Sequence, residues 1–101
     1  MNSLQIALCD DNSLSRQLAQ LAIQEYERQH PDRLCRVHAF SSGTALLSFL
    51  DVHKDFSFDL FILDVMMPTL DGIQIGKELR ARGNRGHIVY LSASPDFAIP
   101  A

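Results

Sequence analysis

Three carboxylates and one hydroxyl stand just past the ends of short apolar runs: Asp10 and Asp11 after Leu4–Cys9, Asp64 after Phe58–Leu63, and Ser92 after His87–Leu91. If the runs are neighbouring strands, the acids converge, and converging carboxylates repel. Two unit charges roughly 4 Å apart cost about 1 kcal/mol in water and several times that at a protein surface. A divalent ion that prefers hard oxygen donors offsets this repulsion. One or two carboxylates, a carbonyl and waters are the usual magnesium arrangement. Pro68, four residues past Asp64, helps to hold a tight turn that can aim the Met66 backbone carbonyl at the same ion. Such a site makes Asp64 a carboxylate nucleophile. Mg²⁺ would neutralise a phosphoryl group as it transfers, and Ser92 would donate a hydrogen bond to one of its oxygens.

The elements that must position these residues alternate between strand and helix. Leu4 to Cys9 is a short apolar run stopped by Asp10-Asp11-Asn12-Ser13, which reads as a buried strand ending in a loop. Leu14, Leu18, Leu21 and Ala22, with Glu25 as a charged end, form an apolar stripe on a helix from about Leu14 to Gln29, stopped by Pro31. Leu34 to Phe40 alternates, with Arg36 and His38 on one parity, as an edge or near-edge strand does. Ser41-Ser42-Gly43 caps a helix carrying Leu46, Phe49 and Leu50 to about Asp51. Phe58 to Leu63 is apolar on both parities and reads as the most central strand, covered on both faces. Asp71 to about Arg82 is the next helix, with Asp71 as its N-cap and Gly72 and Gly76 letting it lie close to the sheet. His87 to Leu91 is a fourth strand, and Ser94-Pro95-Asp96 begins a fourth helix. This order predicts an α/β doubly wound parallel sheet with right-handed crossovers, whose chemistry gathers beyond the carboxyl ends of the strands.

Taken together, Asp10-Asp11, the run from Phe58 through Asp64, Pro68 and Asp71-Gly72, and Val89-Tyr90-Leu91-Ser92-Ala93 resemble the receiver domain of bacterial two-component response regulators. The resemblance spans essentially the whole chain and implies a flavodoxin-like (CheY-like) fold with strand order 2-1-3-4-5. It implies phosphorylation of Asp64 by a sensor histidine kinase and Mg²⁺ held directly by Asp11 and Asp64, through water by Asp10, and by the Met66 carbonyl. Ser92 resembles the switch hydroxyl. Ala7-Leu8-Cys9-Asp10-Asp11-Asn12, the Gln-rich first helix and Ser94-Pro95-Asp96-Phe97-Ala98 are similar to regulators with a LytTR-type DNA-binding output. DNA would then be reached only through an output domain outside residues 1–101.

The family pattern continues into a fifth strand ending in a Lys-Pro pair and a fifth helix, neither of which has a counterpart here. The order expected is therefore 2-1-3-4, with residues 1–101 a receiver domain incomplete at its C-terminus. The family's catalytic lysine would lie beyond the chain end, because Lys54 and Lys77 fall in the wrong elements to replace it. An uncovered fourth strand, Ile88-Val89-Tyr90-Leu91, is expected to favour self-association.

Composition sets the outer bounds. The 101 residues fit a single domain, and a net charge of −3 gives no bulk affinity for nucleic acid. No apolar run approaches the roughly 20 residues of a membrane span, and no signal peptide is visible, so a cytoplasmic, reducing location is the expectation. Cys9 and Cys35 fall about four residues out of register, too far for a disulfide, and His30, His38, His53 and His87 share no ligand spacing. Asp59 belongs at the opposite end of the sheet from Asp64. Two other functions compete with the switch. A receiver-like interaction module that is never phosphorylated remains open. A phosphatase of the haloacid-dehalogenase type wants a second acid two residues after the nucleophile, where this chain has Met66.

Overall fold

The computed structural model describes residues 3–91; Ser92 and the helix expected at Ser94 lie outside the described residues. The elements run β1 (Ser3–Cys9), α1 (Ser13–Gln29), β2 (Leu34–Phe40), α2 (Gly43–Val52), β3 (Leu60–Asp64), α3 (Gly72–Ala81) and β4 (His87–Leu91). The strands are parallel in the order β2-β1-β3-β4. From β1 the chain steps outward to β2, then reverses through α2 to β3. With right-handed crossovers, that reversal puts α1 on one face of the sheet and α2 and α3 on the other.

Local chemistry sets the helix ends. The side chains of Asn12, Ser42 and Asp71 accept the backbone N–H groups of Ser15, Ala45 and Gln74, and Gln74 returns its side chain to the Asp71 N–H in a complete capping box. Helix α3 stops at Gly83, whose φ of 85° lets Asn84 N–H reach the Leu79 carbonyl and Gly83 N–H the Arg80 carbonyl.

The core lies between the sheet and the α2–α3 layer. Ala7 and Cys9 of β1 and Phe61 and Leu63 of β3 meet Leu46, Leu50, Ile75 and Leu79, closed by Phe58 and Met67. Ile6 and Leu8 alternate to the opposite face and are also buried. The strand buried on both faces is therefore β1. In β3 only Phe61 and Leu63 are fully buried, and Leu60 and Ile62 are half-buried. Phe58 is not in the strand. Its ring joins Phe40, Phe49, Phe56 and His38 in a cluster of edge and tilted contacts, which explains why the apolar run looked longer than the strand. The same cluster half-buries His38, whose Nε2 lies 3.1 Å from Gln5 Oε1, so β2 is an edge strand without a wholly exposed parity.

Helix α1 corrects the stripe expected from its sequence. No α1 residue is fully buried, and Leu14, Leu18 and Leu21 are 62, 58 and 59% exposed. The half-buried positions are Arg16, Ala19, Gln20, Ile23, Tyr26 and Glu27, on the opposite side of the helix. Polar anchors hold that side inward. Arg16 Nη1 donates to the Asp10 carbonyl at 2.8 Å, and Glu27 Oε2 accepts from the Cys35 N–H at 2.7 Å. These contacts tie one end of α1 to the end of β1 and the other to the start of β2, against the bias of its larger apolar side chains.

Candidate functional site

Strand pairing builds the acidic site. Cys9 and Leu63 are partners in the β1–β3 ladder, so Asp10 and Asp64 emerge side by side one residue later. The ladder to β2 runs one bond further, with the Asp10 N–H on the Phe40 carbonyl at 3.0 Å. Asp10 is 2% exposed, and its Oδ1 accepts the Asn12 N–H at 2.9 Å while its carbonyl takes the Arg16 guanidinium. Asp11 is exposed and Asp64 is half-buried. One carboxylate oxygen from each of the three acids lies within 4.8 Å of the others. They line an open cavity of about 370 Å³ with Asn12, Ser15, Met66 and Leu91.

None of the three acids forms an ion pair among the described residues, and the Arg16 guanidinium goes to the Asp10 carbonyl instead of a carboxylate. Among the described residues the ion pairs are Arg28–Glu25, Arg82–Asp51 and Arg82–Glu78, all away from the cavity. Burial lifts the Asp10 carboxyl above the ordinary carboxylate range. The Asn12 N–H opposes this, and the charges of Asp64 and Asp11 add to it. Burial, followed by the same three acids, pushes the Cys9 thiol up to about 12, so Cys9 stays a neutral thiol beside Met67, its Sγ 4.0 Å from the Met67 Sδ. Three hard oxygen donors within reach of one centre, without an ion-pair partner among the described residues, fit a small divalent cation such as Mg²⁺.

The β3–α3 loop shapes the cavity rim. Met66 donates its N–H to Asp64 Oδ1 at 3.0 Å and leaves its side chain 57% exposed, while Met67 turns into the core. Pro68 does introduce a tight turn. The Leu70 N–H bonds the Pro68 carbonyl at 2.7 Å around Thr69, whose φ of 70° is unusual for a β-branched residue.

Of the residues singled out in the sequence, Asp10, Asp11, Asp64 and Met66 meet at this cavity, and Ser92 follows its lining residue Leu91 but lies outside the described residues. Asp59 sits at the other end of the sheet, exposed, with its carboxylate accepting the Gln5 N–H. Cys35 pairs with Leu4, five residues from the Cys9 position, and both cysteines are free. A larger cavity of about 710 Å³ opens at that far end, lined by Asp32, Arg33 and Asp59, where Arg33 donates to the Tyr26 hydroxyl. Sequence reading missed Ser15 and Arg16. Their signal was position: in the first turns of a helix capped by Asn12, side chains can reach back to the strand end.

Comparison with known proteins agrees with this geometry. The family model described as the response regulator receiver domain matches residues 6–99. Regulatory protein AtoC of Escherichia coli K12 is 30% identical over 86 residues, covering 83% of this chain and 16% of that protein. The positive alginate biosynthesis regulatory protein of Pseudomonas aeruginosa is 29% identical over 101 residues, covering 97% of this chain and 37% of that protein. The chain thus spans well under half the length of these relatives. The crystal structure of response regulator protein TrrA from Thermotoga maritima, in complex with Mg²⁺–BeF, superposes with a TM-score of 0.73 at 25% identity, covering 93% of this chain and 73% of that one. A parallel sheet in the order 2-1-3-4, three carboxylates gathered at its carboxyl end and a family match across nearly the whole sequence lead to one assignment: the chain belongs to the response regulator receiver domain family.

Proposed function

We propose that this receiver domain is a phosphoacceptor switch in which Asp64 takes a phosphoryl group from the phosphohistidine of a sensor histidine kinase. The observation that carries this reading is the set of three carboxylate oxygens within 4.8 Å of one another, none of them in an ion pair with a described residue. Asp11 and Asp64 would hold Mg²⁺ directly, Asp10 through water, and Met66 through its backbone carbonyl. Bound Mg²⁺ supplies positive charge to the phosphoryl oxygens.

The chain's own residues do the rest. An Asp64 carboxylate oxygen forms the new bond to phosphorus as the donor's phosphorus–nitrogen bond breaks, and the electron pair leaves with the imidazole. The Met66 N–H on Asp64 Oδ1 orients the carboxylate for this attack. Ser92, directly after β4, is the candidate hydroxyl that senses the transferred group. In this role the chain accepts a group and does not turn over a substrate, which agrees with an apolar Met66 where a dehalogenase-type phosphatase needs an acid.

The output we assign is regulation of transcription through a separate DNA-binding domain, of the LytTR type on the sequence resemblance; the two curated relatives are themselves named as regulatory proteins. The location we assign to this chain is the cytoplasm, as its sequence leads one to expect, and among the described residues no helix is long and apolar enough to cross a membrane. Self-association through β4 is a further part of this reading, since among the described residues β4 pairs with β3 alone and Val89 is 46% exposed.

Calorimetry with Mg²⁺ and beryllofluoride tests the proposal. Wild-type protein should bind beryllofluoride only when Mg²⁺ is present, and Asp64→Asn should abolish that response. Mg²⁺-independent binding, or steady turnover of a free phosphoester by the wild-type protein, would contradict it.

A further inference from the structure

Helix α3 begins on the main chain of Asp64. Gly72, its first residue, is buried, and a Cβ added there would stand 2.4 Å from the Asp64 carbonyl oxygen, 2.8 Å from its carbonyl carbon and 3.2 Å from Val65 Cα. All three atoms are backbone and cannot swing aside. Gly76, one turn on, offers the contrast. There a Cβ would meet the hydroxyl end of the half-buried Tyr90 side chain at 2.2 Å, and no backbone atom is among its three nearest neighbours. On its other side Asp64 is held by β4: it is in register with Leu91, and the Val65 N–H bonds the Leu91 carbonyl at 2.9 Å. The phosphoacceptor candidate is therefore wedged between a strand and the first residue of a helix.

We propose that Gly72 is a positioning residue for the Asp64 carboxylate, and that the close seating of α3 sets the spacing of the three acids to a small octahedral cation. This rests on the metal reading above. Restoring ordinary contact around a methyl group at position 72 requires a displacement of about 1 Å, from 2.4 to 3.4 Å, at the Asp64 carbonyl. Mg²⁺ demands near-ideal octahedral geometry at roughly 2.0–2.1 Å, whereas Ca²⁺ accepts looser ligands at about 2.3–2.6 Å. Gly72→Ala should therefore cost Mg²⁺ far more than Ca²⁺. A merely structural glycine would lose both ions together or neither.

The test is a pair of metal titrations on wild-type, Gly72→Ala and Gly76→Ala proteins, with amide spectra recorded before metal is added. Gly72→Ala should weaken Mg²⁺ binding at least tenfold and Ca²⁺ binding less than threefold, and should shift the metal-free Asp64 and Met66 amide resonances. Gly76→Ala should do none of this. Equal loss of both ions, or the same selectivity change in Gly76→Ala, overturns the proposal. If the wild-type protein binds neither ion, the metal reading itself fails, and unmoved Asp64 and Met66 amides in Gly72→Ala would then overturn the positioning role as well. Should Gly72→Ala not fold, the wild-type spectrum decides: Mg²⁺ must move the Gly72 amide about as far as that of Met66 while leaving Gly76 in place, and a Gly72 amide indifferent to Mg²⁺ overturns the role.

Discussion

Asp10 carries most of the electrostatic tension of the site. It is buried and its carboxyl is held above the ordinary range, so the folded protein binds that proton more tightly than the unfolded chain. The stability this confers is complete below the unfolded value near pH 4 and is lost as pH rises through the higher folded value. Above that folded value and without a divalent cation, ionised Asp10 therefore opposes folding. Asp10→Asn keeps an acceptor for the Asn12 N–H and removes the charge. It should raise metal-free stability at pH above the folded value by about 1 kcal/mol, remove Asp10's share of the decline in urea stability as pH rises above about 4, and weaken Mg²⁺ binding at least tenfold. A variant no more stable than wild type in chelator would contradict this account of Asp10. Met66 governs a different quantity. Its exposed thioether lines the cavity, and on the proposed switch reading it would hinder an attacking water, so Met66→Asn should shorten the lifetime of the phosphorylated state several-fold, as followed by decay of the phosphorylated mass. An unchanged lifetime would remove that role.

At the level of elements, α1 makes the sharpest claim, because the face it turns to the sheet is not its most apolar one. Leu18, 58% exposed, should accept Gln with a change in unfolding free energy within about 0.5 kcal/mol, whereas Leu79→Ala in α3, fully buried, should cost about 2–5 kcal/mol. Comparable losses from the two substitutions in urea unfolding would show that α1 is seated the other way round. The same helix marks the limit of what the sequence made legible. Helix starts were readable because caps are local: Asn12, Ser42 and Asp71 announce α1, α2 and α3 within one turn. The acidic trio was readable because strand ends in a parallel sheet share an edge. The orientation of α1 was not, because Arg16 and Glu27 fix it through partners at the end of β1 and the start of β2, and periodicity counts only apolar residues. Nor was the length of β3 apparent, since Phe58 is apolar to serve an aromatic cluster and not the strand.

For the molecule as a whole, the layout places the acidic cavity and the β4 edge close together, with Leu91 contributing to both. Chains that pair through β4 would place their acidic cavities along one shared seam. Light scattering should detect a concentration-dependent increase in mass that Val89→Lys suppresses, and a strictly monomeric species at high concentration would contradict it. The central claim is narrower than assembly: one carboxylate of the three, Asp64, forms the bond to phosphorus. Intact-mass and peptide-mapping spectrometry after incubation with acetyl phosphate tests it most directly. The account predicts a single added phosphoryl group on Asp64 that requires Mg²⁺ and is absent in Asp64→Asn; phosphorylation that persists in Asp64→Asn, or maps to another residue in the wild-type protein, would contradict it.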